Sequence, residues 1–357
     1  GRWREARGPC EDRAVGLGRL LRNRRSGRAE HSEVVAPQVA EPFEPPVEVT
    51  GIDAVATPAL VFPELKRYER PLLADPALQE RLKTVGYAVL PPMIPADELE
   101  RLVAIGFDLT QRLEEPWGEL FLAVGRISDA ALRQEVTDAA GDIVRPYLEP
   151  LFLPHVDVLG APLQVKPSSA ASRLDPHQDA SLLDEADDLG VYCWIPLTDV
   201  DAENGWLEVV PGSHRLGNVQ RTLNVPWQFA GQADVFRPHS VGLEMPAGSL
   251  CLFDAALVHG SPPNLTEEIR FALNCFAKPK ASPMVHFFSD ETTTPGNVEA
   301  WEIDVSFFLE ENIMERPTDR FRSLGERPHV RVEMTDDELD RALVVLSAEA
   351  RSFDDDR

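Results

Sequence analysis

Positive charge is in short supply in this chain. It holds 35 lysines and arginines against 60 aspartates and glutamates, a formal net charge of −25. Such a surface repels phosphate backbones and anionic bilayers, which argues against a nucleic-acid partner or a membrane-surface role. The same charge also serves solubility. Cysteine is scarce too: Cys10, Cys193, Cys251 and Cys275 show none of the close pairing of zinc or redox motifs. Cys193, Cys251 and Cys275 sit inside apolar runs, where small buried thiols are expected. A reducing, cytoplasmic compartment is the matching expectation. No apolar run reaches the roughly eighteen residues of a membrane span, and no internal repeat is found.

What remains has the composition of a soluble globular protein, 43% hydrophobic and 27% charged, with length enough for a large core. Residues 1–28 carry nine arginines and no lysine, which invites a transit-peptide reading. Glu5, Glu11 and Asp12 interrupt that pattern, and a disordered basic leader is expected instead. Residues 34–63 are rich in Val, Pro and Glu, as an extended linker or wrapping arm would be. Organised structure is expected from residue 64 to residue 290, with a C-terminal extension over 291–357. Asp75-Pro76 caps and opens a helix, and further helices are expected near 96–113 and 127–146. From about 156 to 280, short β-branched and aromatic runs alternate with turn residues, the pattern of a barrel or sandwich. Thr335-Asp336-Asp337-Glu338 reads as a capping box opening a short acidic helix.

The residues with most chemistry are His177, Asp179, His259 and Arg270. Two imidazoles and a carboxylate on one face of an iron ion leave positions open for an oxidant and a bidentate ligand. Two apart on an extended strand, His177 and Asp179 would point to the same side. His259 would end the apolar strand 248–254, and Ser261-Pro262-Pro263-Asn264 would turn the chain in a hairpin toward Arg270. A permanently charged, planar guanidinium suits two-point contact with a carboxylate.

Further stretches make the pattern specific. They are Val85-Gly86-Tyr87-Ala88-Val89-Leu90, Trp194-Ile195-Pro196-Leu197-Thr198-Asp199, and Asn204-Gly205 leading to Pro211-Gly212-Ser213-His214. With the eleven-residue spacing from His259 to Arg270, they make residues 82–277 resemble the phytanoyl-CoA dioxygenase family of Fe(II)- and 2-oxoglutarate-dependent oxygenases. The resemblance implies a mainly β fold with flanking helices around a double-stranded β-helix (jelly-roll) core. It implies Fe(II) held by His177, Asp179 and His259, with 2-oxoglutarate and O2 as cosubstrates. It further implies that Arg270 and Ser261 hold the distal carboxylate of 2-oxoglutarate, that Trp194 lines its pocket and that Gln164 hydrogen-bonds it. Because Asp179 keeps its carboxylate, hydroxylation of a small molecule is expected over halogenation. His214 reads as structural.

Two rival classes use the same residues. A non-catalytic β-helix protein would bind a metal or ligand in the same cavity, and the intact ligand set with Arg270 speaks against it. A metal-dependent hydrolase would leave Arg270 without a task. The aromatic-bearing segment 216–240 reads either as a lid or as a packed surface loop. Asp184-Glu185-Ala186-Asp187-Asp188 reads as a solvated turn, or as a site for a cationic substrate. Substrate identity and oligomeric state are not encoded in any motif found.

Overall fold

The computed structural model describes Phe62 and residues 65–113, 118–217, 219–225 and 227–355. The expected basic leader and most of the Pro-rich arm, with Cys10, lie outside the described residues. What is described falls within one compact unit, 59–357.

The chain enters the fold through helix α1, Pro76–Val85, where the Asp75 carboxylate accepts from the Ala77 amide at 2.8 Å. This satisfies an amide that the first helical turn leaves unpaired. Gly86 ends the helix at φ 91°. A Cβ there would come within 2.6 Å of the His214 ring and of Leu257, so the reversal needs glycine. Strand β1, Tyr87–Leu90, follows at once. Helices α2, Ala96–Arg112, and α3, Ala130–Leu148, lie within a few residues of their expected limits.

Two sheets make the centre, and every strand pairing in them is antiparallel. The larger one joins β1 to strands β2 (Leu122–Ala123), β3 (Val156–Leu159), β4 (Leu163–Lys166), β6 (Val191–Pro196), β9 (Leu250–Asp254) and β11 (Arg270–Pro279). The smaller one runs in the order β5 (Leu174–His177), β10 (His259–Ser261), β7 (Leu207–Val209), β8 (Val241–Leu243). Both faces of β6 and β9 are buried, which explains their unbroken apolar sequence. Alternate residues serve different cores. Cys193, Ile195, Leu273 and Cys275 pack toward the helices, whereas Tyr192, Trp194, Ala272 and Phe276 share a core with Leu207, Val209 and Leu243 of the smaller sheet. The functional residues of β11 lie on that second face.

Beyond them, strands β12 (Met284–Phe288), β13 (Asn297–Ile303) and β14 (Arg322–Pro328) form a third antiparallel sheet. The short helix α4, Ala233–Phe236, lies in the 216–240 segment, and helix α5, Val305–Glu310, follows β13. Thr335 and Glu338 exchange the two hydrogen bonds of a capping box at the start of helix α6, Asp336–Asp355. That helix runs 20 residues, longer than the short acidic helix expected, because Leu339, Ala342, Leu343, Leu346 and Ala350 continue a helical apolar stripe.

Three local expectations are corrected. His259 does not end the strand of residues 250–254. The chain turns at 255–258, and His259 opens β10 in the other sheet. Nor do β10 and β11 form a hairpin. Pro262 and Pro263 have no N–H to extend a ladder, and the chain crosses from the smaller sheet to the larger. The Asn264 side chain pins this crossing, donating to the carbonyls of Lys166 and Glu268. Finally, β5 stops at His177, so Asp179 lies past the strand end and not on it.

Candidate active site

His177 and His259 face each other directly across the β5–β10 pair, with ring centroids 4.5 Å apart. Each ring is oriented from behind: Nδ1 of His177 meets the Asp175 carbonyl at 2.8 Å, and Nδ1 of His259 meets the Leu257 carbonyl at 3.0 Å. With Nδ1 as the donor, both Nε2 lone pairs are free to point inward. Asp179 lies 3.6 Å from Nε2 of His177 and 3.8 Å from Nε2 of His259. These gaps are too long for hydrogen bonds, and one ligand atom from each residue lies within 4.8 Å of the others. The three could therefore hold one metal ion. Burial would raise the Asp179 carboxyl, but His177, His259 and Arg221 together hold it well below the usual carboxylate range. Burial, then the charge of His177, pushes His259 down to about 4, so its imidazole is neutral and available at ordinary pH.

Arg270 opens β11 opposite Lys166 of β4, and both are buried. The Arg270 guanidinium stands 5.5 Å from the centre of the Trp194 ring. Its Nε and Nη1 have no hydrogen-bond partner, and no carboxylate among the described residues pairs with it. Burial alone pushes it down to about 9. A buried guanidinium left unpaired costs folding free energy, so an anion belongs beside it. The carboxylate of a keto acid fits that requirement, and the two imidazoles with Asp179 fit the divalent metal that such an acid would chelate.

Ser261 and Gln164 line the same cavity, each already engaged. The Ser261 hydroxyl donates to the Gly205 carbonyl at 2.8 Å and accepts from Lys166 Nζ at 2.6 Å. Gln164 accepts the Trp194 indole N–H at 3.0 Å. Asn274, two turns of the pleat beyond Arg270, also lines it, with its buried Oδ1 unpartnered.

Several participants carry no signature in the sequence. Lys166 is fully buried, and its ammonium reaches Ser261 Oγ and the carbonyls of Ser261 and Pro262. Burial, followed by the charges of Arg270 and Arg173, pushes it down to about 6, whereas the three surrounding oxygens favour the protonated form. Arg221 is the second. It donates from Nε to the Asp179 carbonyl at 2.5 Å and grips Glu185 with two contacts of 2.6 and 2.7 Å. Glu185 is 2% exposed, which overturns the solvated-turn reading at that position. Asp184 and Asp188 pair with Arg327 and Arg70. Third, Trp227 donates to Gln178 Oε1 at 2.9 Å, just between the two nearest candidate ligands. Segment 216–240 is thus packed down, with Phe229 and Phe236 buried against Leu339, Leu343 and Leu346 of α6. His214 meets the Lys83 carbonyl at 2.9 Å, in the last turn of α1 and apart from the trio.

The cavity has a volume of about 310 Å³ and contains the trio, Arg270 and Trp194. Its apolar lining includes Leu159, Leu182, Met284, Val305, Phe308 and Ile313. Four of these come from the region of the third sheet and α5, and three of the four, Val305, Phe308 and Ile313, lie beyond residue 290.

Residues 82–272, more than half of the chain, match the profile of the phytanoyl-CoA dioxygenase (PhyH) family, and the chain belongs to that family. It is 28% identical over 170 residues to the peroxisomal phytanoyl-CoA dioxygenase of Bos taurus, a stretch covering 44% of this chain and 49% of the relative. The Homo sapiens protein is 28% identical over 179 residues, 46% of this chain and 52% of the relative, so the chain spans about half the length of these curated relatives. Among solved structures, the non-heme alpha-ketoglutarate-dependent carbocyclase SnoK from nogalamycin biosynthesis aligns with TM-score 0.44 and 19% identity, over 60% of this chain and 89% of that one. No described helix is long and apolar enough to cross a membrane.

Proposed function

We propose that this protein is an Fe(II)- and 2-oxoglutarate-dependent dioxygenase that hydroxylates an unactivated C–H bond of a small molecule, with release of succinate and CO2. The observation that carries this reading is the buried, unpaired Arg270 guanidinium facing the cavity that holds His177, Asp179 and His259. Iron, keto acid and dioxygen together would supply the oxidising power that no amino-acid side chain has.

The residues divide the remaining work. His177, Asp179 and His259 would hold the metal. Arg270 takes the far carboxylate of the keto acid in a two-point contact, which sets its length and orientation. Lys166 fixes Ser261 beside it. Gln164 and Trp194, joined to each other, form a rigid wall against the cosubstrate. The apolar outer chamber excludes water and receives the substrate. We read the larger and smaller sheets as the two halves of a double-stranded β-helix. Residues 64–290 then form the catalytic domain, with 291–357 completing its outer wall. The buried free thiols Cys193, Cys251 and Cys275 fit a cytoplasmic setting.

The direct test is conversion of 2-oxoglutarate to succinate by the iron-loaded protein. His259→Ala should yield none, and Arg270→Lys should raise the KM for 2-oxoglutarate by about 10- to 100-fold, since one ammonium cannot reproduce the fork. Unimpaired conversion by His259→Ala would remove it from the ligand set.

A further inference from the structure

The charge of the cavity is inverted relative to the chain. Against a net charge of −25 overall, the cavity wall carries the guanidiniums of Arg126, Arg133 and Arg270, and among the described residues its single carboxylate is Asp179. If Arg270 serves the keto acid, as proposed above, the other two are left over. Arg133 is 7% exposed, and its Nη atoms reach only carbonyls, of Ile127, Ser128 and Leu309. Its Nε has no partner. Arg126 is exposed at the cavity edge, makes no ion pair among the described residues, and its charge is felt at His177.

A divalent metal and a dianionic keto acid would cancel each other, and Asp179 offsets one guanidinium. Two positive charges then still face the substrate space. A cationic substrate is disfavoured there, and a neutral one would leave the buried Arg133 charge without a counter-ion. The wall around them is hydrocarbon, from Leu159, Leu182, Met284, Val305, Phe308 and Ile313. Among the described residues the wall has no lysine and no further arginine to meet a diphosphate and an additional phosphate, which favours a small anion. The acidic exterior also penalises the approach of a polyanion more than that of a monoanion.

We propose that the primary substrate is an apolar monocarboxylic acid, bound as the free anion and not as a nucleotide-bearing thioester. Arg126 takes its carboxylate at the cavity edge, Arg133 supports that end with its uncompensated charge, and the hydrocarbon body lies along the apolar wall toward the trio. This assignment rests on the oxygenase reading, since that reading commits Arg270 elsewhere.

The test is calorimetric titration of the full chain loaded with redox-silent Zn(II) and saturated with 2-oxoglutarate. The probes are octanoate, octylamine, 1-octanol and octanoyl-CoA. Octanoate should bind at least about tenfold more tightly than each of the others, the scale of one charge-assisted contact. Arg126→Gln, a change at an exposed position, should erase that preference, and Arg126→Lys should retain most of it. Octanoate binding no better than octylamine or octanoyl-CoA, or not binding at all, would overturn the proposal. So would Arg126→Gln weakening 2-oxoglutarate in place of octanoate. Because nothing turns over in this assay, it separates the two readings. Failure of 2-oxoglutarate to bind the zinc protein would sink the oxygenase reading, whereas the order of the C8 series decides the substrate class.

Discussion

Two arginines of this cavity region, Arg221 and Arg270, are equally buried and differ in everything else. Arg221, in the irregular segment behind the candidate ligands, holds Glu185 through two short contacts and reaches the carbonyls of Asp179 and Ala255. Arg270, at the start of β11, has an aromatic ring beside it and no anion among the described residues. A buried charge that is fully paired belongs to the fold, while one held without a counter-charge reserves a place for something that arrives later. The back of the site is therefore a brace and the front is a receptor.

Substitution should break this contrast in opposite directions. Arg221→Met leaves Glu185 buried without its partner and should cost about 3–5 kcal/mol of stability, read by urea unfolding. A loss below about 1 kcal/mol, the range of exposed pairs, would mean that Arg221 is not a brace. For Arg270→Met the unliganded protein should keep its stability or gain about 1–3 kcal/mol, because an uncompensated buried charge has gone. The ligand effect should vanish with it. Zinc-loaded wild type should gain about 2.7 kcal/mol from 2-oxoglutarate at a hundred times its Kd, and the variant nothing. Marked destabilisation of the unliganded variant would show that Arg270 has a structural partner.

Lys166 lies between these extremes, buried like a receptor charge but surrounded by oxygens. With its folded value lowered from 10.5 to about 6, the unfolded chain binds the extra proton between those limits. Unfolding free energy from this group then rises with pH above about pH 6, by up to about 1.4 kcal/mol per pH unit. Lys166→Met should flatten that rise between about pH 7 and 9 in thermal unfolding series. An unchanged slope would mean that the surrounding carbonyls keep the ammonium charged.

The receptor side was the more legible in sequence. His177, Asp179, His259 and Arg270 stand out because metal and carboxylate chemistry demands those residue types, and the spacing from His259 to Arg270 could be counted. Helices α1, α2 and α3 were visible through Asp75-Pro76 and through apolar periodicity. The brace could not be found this way. Arg221 and Trp227 occur in a stretch with little regular structure, and Glu185 looked like one acid among several; only folding brings 36 residues of separation to 2.6 Å. Lys166 ends a short alternating strand where a lysine ordinarily faces water. The hairpin expected between β10 and β11 failed for a related reason. A Pro-Pro-Asn turn marks where a ladder stops, but which sheet the next strand joins is decided by distant partners, here β4 and β6.

The most direct measurement is anaerobic absorption spectroscopy of the full chain with Fe(II) and 2-oxoglutarate. A visible metal-to-ligand charge-transfer band should appear in the native protein, disappear in His259→Ala and require far more 2-oxoglutarate in Arg270→Met. Stoichiometrically bound iron with no such band in the native protein would contradict the account, since the trio and Arg270 would then not serve one keto acid.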